Sequence, residues 1–331
     1  GLSLGPLLGG PLLDLLDWRA LFYTRAPLGV LGIVLAWWLL PNDRAVPNRF
    51  RVDIVGTSAL FGTLVSILLI VNQGAKLGFG STPIVVTAVV TAISLAVLVW
   101  AERRSPRPIL DRALFRVPQY TFGVAVLVGH YLAYGGVLLV APFLLVYTLD
   151  FSATKMGLFI AAFSMARTFL APCTGHLSDT LGPRAFLVFG NLLFAASMLW
   201  LSRLGTNTDQ WALLMALLVA GAGAAFVEPV VTSVIMGSAP SDRLGTASAS
   251  VAMGRQVAFS VGVTVAGAIF TIRENAHLAG LSSRVLVNEG GGQEAIALGF
   301  SDTMLVGVAL ALLAAVMSLR LGKGSYTRRP G

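Results

Sequence analysis

The chain has 331 residues, 56% of them hydrophobic and only 11% charged, with a mean hydropathy of +0.82 and a net charge of +8. That balance excludes a water-soluble globular domain and identifies an integral membrane protein. The 23 Lys and Arg residues lie in short segments between apolar runs, not on one continuous face, so the positive charge reads as membrane topology and gives no nucleic-acid partner.

Apolar runs long enough to cross a ~30 Å hydrocarbon core at 1.5 Å per residue follow one another along the chain. They are predicted at 1–16, 21–41, 51–72, 82–101, 120–148, 155–177, 185–203, 211–237, 246–272 and 298–320. The fold class expected is therefore all-α, with about ten transmembrane helices. If the segment after the second run is cytoplasmic and the sides alternate, cytoplasmic segments hold 14 Lys/Arg and the opposite side 7. The bias follows the positive-inside rule and places the C-terminus in the cytoplasm, with the plasma membrane as the expected location. Trp18, Trp37, Trp38, Trp100, Trp200 and Trp211 all fall near predicted helix ends, where an aromatic belt belongs.

Two polar stretches are longest: 102–119, with Pro106, Pro108 and five arginines, and 273–297, with Gly290, Gly291 and Gly292. Both are predicted as loops. The first divides four helices from six. Cys173, the one cysteine, excludes an internal disulfide and reads as a packing residue in an apolar run. No G-x-x-x-x-G-K-[ST] phosphate loop and no H-E-x-x-H pattern occur, so ATP-driven transport, metal-dependent chemistry and enzymatic activity are not expected.

Four ionisable residues stand inside predicted helices: His130, Arg167, Glu228 and Arg255. Each lies about ten residues from the predicted cytoplasmic end of its helix, or ~15 Å at the helical rise, which is half of a ~30 Å core. Buried charge is costly in lipid and marks a pathway or a binding site at that depth. Glu228 precedes Pro229 and follows the small-residue run Gly221-Ala222-Gly223-Ala224-Ala225, so it is the first candidate for a proton or a cationic substrate. The alternative is a static ion pair with Arg255 or Arg167. Arg167 suits an anionic group or neutralises Glu228, and His130 is equally a proton relay or a packing residue. Asp14 and Asp17, at the outer end of the first helix, read as solvated.

The opening residues Gly1, Gly5 and Gly9, spaced four apart beside Pro6 and Gly10, give a smooth helix face suited to close packing. This stretch resembles the antiporter motif of the major facilitator superfamily. Asp17-Trp18-Arg19-Ala20-Leu21-Phe22, then Pro27 and Gly29, resembles the Trp-Arg-x-x-Phe…Pro-x-Gly stretch of its fourteen-helix drug:proton antiporters of the EmrB/QacA type, with Arg25 where that family usually has Asn. Gly175-His176-Leu177-Ser178-Asp179-Thr180-Leu181-Gly182-Pro183-Arg184 resembles a degenerate copy of the superfamily's cytoplasmic G-x-x-x-D-x-x-G-x-R loop, and Arg255-Gln256 its Arg-Gln stretch in the penultimate helix.

The resemblance implies a major facilitator fold: residues 1–41 as the end of an N-terminal half, 42–119 as two linking helices with a cytoplasmic loop, and 120–331 as a complete C-terminal half. It implies that four helices precede residue 1 in the complete protein. It further implies proton-coupled export of small amphipathic molecules or drugs, with protons, substrate and lipid as partners, the proton gradient as energy source and no cofactor. Gly175, Asp179, Gly182 and Arg184 would form a gating latch, with Gly175 and Gly182 in a tight reversal and Asp179 capping the next helix. A non-transporting receptor or scaffold subunit with a structural charge network is the rival reading.

Overall fold

A computed structural model of the chain describes residues 4–39, 53–104, 111–206, 208–280 and 290–322. Ten long helices account for nearly all of them: α1 Leu4–Leu15, α2 Ala20–Leu39, α3 Ile54–Leu77, α4 Thr82–Arg104, α5 Pro118–Phe143, α6 Ala153–Leu181, α7 Pro183–Leu201, α8 Gln210–Ser238, α9 Leu244–Gly280 and α10 Gly290–Ser318. Every one except the 12-residue α1 is long and apolar enough to cross a bilayer. The chain is thus a multi-pass membrane protein, with no strand among the described residues.

Local chemistry sets the ends. Asp53, Ser152 and Asp209 cap α3, α6 and α8 by accepting from backbone N–H groups of the first turn. Asp111 caps the one-turn helix Arg112–Phe115 and also receives Arg243 Nη1 at 2.8 Å, which ties the segment before α5 to the turn before α9. Helix α5 carries Pro142 near its end and continues as a π turn over Leu144–Thr148. All six tryptophans stand exposed, each close to a helix end.

The buried apolar cluster begins at Leu114 and draws on every helix from α5 to α10. Helix α5 packs on α8, α9 and α10, α8 lies against α6 and α7, and α10 closes the group against α7 and α9. Helices α3 and α4 form a hairpin that touches α9, and α1 lies along α6. Helix α2 buries no residue. The expected boundary at 41/42 lies outside the described residues.

Three expectations need correction. The stretch 273–297 is not all loop: α9 runs on to Gly280 and α10 starts at Gly290. Arg273 and His277 are four apart, hence on one helix face, and both bind Asp302 Oδ2 of α10, at 2.7 and 2.8 Å. The second correction concerns Gly175, which lies inside α6 rather than in a turn. The reversal falls on Gly182 alone, at φ 88° and followed by Pro183, and Gly182 also takes the N-cap position expected of Asp179. Asp179 is helical, and its side chain lies outside the described residues. Cys173, third, is exposed rather than packed.

Lipid gives apolar helices little reason to associate, so close backbone approach must supply the contact. Along the chain several glycines do so. A Cβ on Gly221 would strike the Phe163 carbonyl, one on Gly262 the Leu132 carbonyl, and one on Gly223 would lie 2.8 Å from Phe194 N. Replacing Gly221 by Leu is expected to destabilise the detergent-solubilised protein by about 1–3 kcal/mol, read as a lower midpoint of thermal unfolding. Gly205→Ala, where nothing lies within 4 Å, should leave that midpoint unchanged, and equal losses in the two variants would contradict this packing argument.

Candidate functional site

Helices α6 and α8 run parallel and meet along one seam. At its middle Arg167, midway along α6, places Nε 2.8 Å from Glu228 Oε2. One to two turns towards the C-terminal end of α6 the seam closes again for a reason written in the sequence. Pro229 has no N–H, so the carbonyl of Ala225 loses its helical donor, and Thr174 Oγ1 donates to that carbonyl at 2.6 Å. Gly175 lies beside the Pro229 ring: a Cβ there would sit in ordinary contact, 3.7 Å from Pro229 Cβ. The glycine read from sequence as a hinge of the loop is therefore a packing position of the seam.

Helix α5 completes the site with two tyrosines. Arg167 Nη1 donates to the Tyr134 hydroxyl at 3.0 Å, and its guanidinium carbon lies 5.8 Å from the Tyr134 ring centre. Arg255 of α9 holds its guanidinium 5.7 Å from the ring of Tyr131. The side chains of Arg167 and Glu228 are 19% and 12% exposed, so the pair is largely out of solvent. In such surroundings a charge needs a partner for each of its polar atoms. Glu228 Oε2 has one in Arg167. Glu228 Oε1 is buried without a hydrogen bond, and the Tyr131 hydroxyl is the further polar group that faces the carboxylate, so one oxygen is committed to Arg167 and the other, beside Tyr131, is open to a proton or a cationic donor.

His130 takes a different place. Its side chain is fully buried, and Nδ1 lies 3.2 Å from Asn191 Oδ1 of α7. The Asn191 amide nitrogen donates to Leu187 O at 2.8 Å, so its oxygen faces the ring and only accepts. His130 Nδ1 consequently carries the proton, and Nε2 is left without a partner. The ring packs on Phe194 at 4.9 Å and on Tyr134 at 6.3 Å, behind the tyrosine that holds Arg167. The structure thus joins Arg167 to Glu228, sets Arg255 beside them across Tyr131, and turns His130 away into the core. Of the open alternatives for the Glu228 partner, it selects Arg167. Arg255 is exposed together with Ser248, Ala252 and Gln256 on one stripe of α9, while Ala247, Ser250, Val251 and Ala258 face inwards.

Sequence reasoning missed Tyr131, Tyr134 and Asn191, whose neutral polar groups leave no trace in a search for intramembrane charge. It read Asp14 as solvated, which fits, but missed its partners. This carboxylate is exposed, yet it accepts from Ala153 N–H and Thr154 N–H at the start of α6. Among the opening glycines, Gly10 makes the closest approach, since a Cβ there would lie 2.5 Å from Ala153 O. Pro6 offers its carbonyl to Gly157, Gly9 faces Leu21, Gly5 has open space around it, and Gly1 lies outside the described residues. At the reversal, Arg184 is half-buried and lines a groove with Leu181, Gly182 and Leu319.

Breaking a buried pair costs more than removing it whole, because the survivor is left uncompensated. Arg167→Met is therefore expected to lower stability by about 3–5 kcal/mol, and Arg167→Met with Glu228→Met to recover most of that loss. Thermal unfolding of the purified single and double variants measures the difference. Additive losses would show that the two side chains do not act as a pair.

Residues 123–274 match the family model described as Major Facilitator Superfamily. The multidrug resistance protein Stp of Mycobacterium tuberculosis is 29% identical over 272 residues, covering 81% of this chain and 50% of that protein. The multidrug export protein EmrB of Escherichia coli is 28% identical over 284 residues, covering 85% and 55%, and the multidrug transporter protein MdtP of Bacillus subtilis is 25% identical over 274 residues, covering 82% and 50%. The chain spans about half the length of these curated relatives. With the helical layout and the intramembrane charges described above, these matches give residues 123–274 the pattern of the Major Facilitator Superfamily and make the chain, over more than four fifths of its length, similar to Stp and EmrB.

Proposed function

We propose that this chain forms part of a proton-coupled exporter of small amphipathic molecules, working by alternating access. The observation that carries the reading is the Glu228 carboxylate, held at Oε2 by Arg167 and open at Oε1, in the middle of a bundle built only from membrane-crossing helices. Protonation would cancel the charge that Arg167 balances, freeing the guanidinium to lean on Tyr134 alone. A cationic substrate would do the reverse, favouring the ionised carboxylate. Two ligands that compete for one carboxylate exchange for each other, and antiport follows when the two forms of the site favour different global states. The multidrug names of the relatives agree with such a site, because one carboxylate bordered by aromatic rings offers a cation attraction without a fixed shape.

In this reading residues 120–331 form one rocking half and 1–41 belong to the other, with 42–119 linking them. The Lys/Arg bias puts the C-terminus and the Gly182 reversal in the cytoplasm, and a bacterial plasma membrane is the compartment. The reversal and Arg184 serve as a latch between helices that shift during the cycle. Arg255, on the exposed stripe of α9, tunes the charge of the site. The work is binding and release across the membrane, driven by the proton gradient, without covalent chemistry on the substrate.

Glu228→Gln keeps an oxygen for Arg167 and loses the titrating charge. In the complete protein it is expected to fold and reach the membrane but to lose substrate-driven collapse of a proton gradient by about 10²-fold or more, as removal of a general proton carrier does. Inverted vesicles with a pH-sensitive dye and a panel of lipophilic cations provide the measurement. Full coupling in Glu228→Gln would overturn the assignment.

A further inference from the structure

Helix α1 ends on a contact that its sequence does not advertise. Asp14 Oδ1 accepts from Ala153 N–H at 3.1 Å and Oδ2 from Thr154 N–H at 2.8 Å. These are the first two residues of α6, whose next donor, Lys155 N–H, is met by the Ser152 hydroxyl at 3.2 Å and whose fourth, Met156 N–H, by the Ser152 carbonyl at 2.9 Å. The start of a helix leaves four such donors unpaired and carries the positive end of its dipole. Here half of them are satisfied by a carboxylate from another helix, 139 positions away in sequence. The neighbouring charges are engaged elsewhere, since Asp17 lies 3.8 Å from Arg19 and Lys155 Nζ stands 3.7 Å over the Phe151 ring.

The backbones touch just below the carboxylate. A Cβ on Gly10 would lie 2.8 Å from Thr154 Cα, and one on Gly157 would strike the Pro6 carbonyl. The two helices are therefore in their closest packing along the same stretch that Asp14 seals. One precedes the long 102–119 segment and the other follows it, so in an alternating-access transporter they belong to opposite halves and must part when the outer side opens.

We propose that Asp14 is the clasp of the outer gate, holding the outer ends of α1 and α6 together while the site is closed to the outside and releasing them to water when the protein turns outward. The inference rests on the alternating-access reading above. Exposure of Asp14 suits a reversible contact, because water can take over both hydrogen bonds as the helices separate, and the clasp biases the equilibrium without locking it. Asp14 acts through the packing of α1 on α6 and touches no substrate, so it is a positioning residue.

The test uses the complete protein in a cysteine-free background, which in this chain needs Cys173→Ala. Ala153→Cys reports on the outer end of the α1–α6 contact, and Ser248→Cys, on the Arg255 stripe near the cytoplasmic end of α9, reports on the inner side. Labelling rates with a membrane-impermeant maleimide are measured in whole cells for the first reporter and in inverted vesicles for the second. Loss of one to two charge-assisted hydrogen bonds in Asp14→Ala is expected to raise the outer rate about tenfold and to lower the inner rate. Asp14→Asn keeps a single acceptor and should fall between.

Unchanged rates in Asp14→Ala would overturn the proposal. So would a rise of both rates together, since loosened packing lacks the reciprocity of a gate. Ser197→Cys, fully buried among α7 side chains, checks the fold. If it becomes reactive in Asp14→Ala, the Asn variant decides, and it must show the reciprocal shift. Labelling needs no substrate, so export of a lipophilic cation by the unmodified protein tests the transport reading separately.

Discussion

In hydrocarbon an apolar surface gains nothing by meeting another apolar surface, and every backbone polar group must find its partner inside the protein. The α6–α8 seam satisfies both demands at once. Gly221 lets the two backbones come within reach, and that closeness allows Thr174 to serve the carbonyl that Pro229 has orphaned. The same closeness allows Arg167 to bind Glu228 directly, at 2.8 Å. Were the helices spaced by ordinary side chains, the proline would leave a bare acceptor in the membrane and the carboxylate would have to neutralise itself. Packing, backbone chemistry and charge therefore depend on one run of small residues between Gly221 and Ala225.

Much of this architecture is legible in the sequence. Hydropathy locates all ten helices, because lipid demands unbroken apolar runs of known length. Depth along each helix singles out Arg167, Glu228, Arg255 and His130, since charge inside the membrane is rare enough to stand out. Depth says nothing of azimuth, however. Arg255 and His130 share a level with the Arg167–Glu228 pair, yet one faces outward past Tyr131 and the other turns towards Asn191. Helix ends are harder to read. The C-terminal part of α9 carries Arg273, Glu274 and His277, a composition that reads as loop, yet it is helical and the spacing of its polar residues matches a carboxylate on α10. Asp14 escapes notice because its partners are backbone N–H groups, which every sequence possesses and none displays.

The two tyrosines of α5 show how a neutral side chain can organise charged ones. Tyr134 accepts from Arg167 through its hydroxyl and packs its ring against Phe163 at 5.4 Å and Phe259 at 5.9 Å. The guanidinium is thereby fixed on two sides, by a carboxylate and a phenol. Tyr131, three residues earlier on the same helix, presents its face to Arg255. Two tyrosine rings three residues apart on α5 thus each receive one arginine. His130 extends this framework backwards, tying α5 to α7 through Asn191.

Asp302 accepts from both Arg273 and His277 with the same oxygen, Oδ2. Donors on successive turns of one helix converge on one atom of another, so a single carboxylate joins α9 to α10 at this level. At ~1.5 Å per residue, the 37 residues of α9 extend well past the ~30 Å core of a bilayer, and the joined portion belongs to that excess. A tilt of α9 within the membrane therefore meets α10 at this link as well as along their packed faces. The junction at Asp302 couples the two helices beyond the core they share.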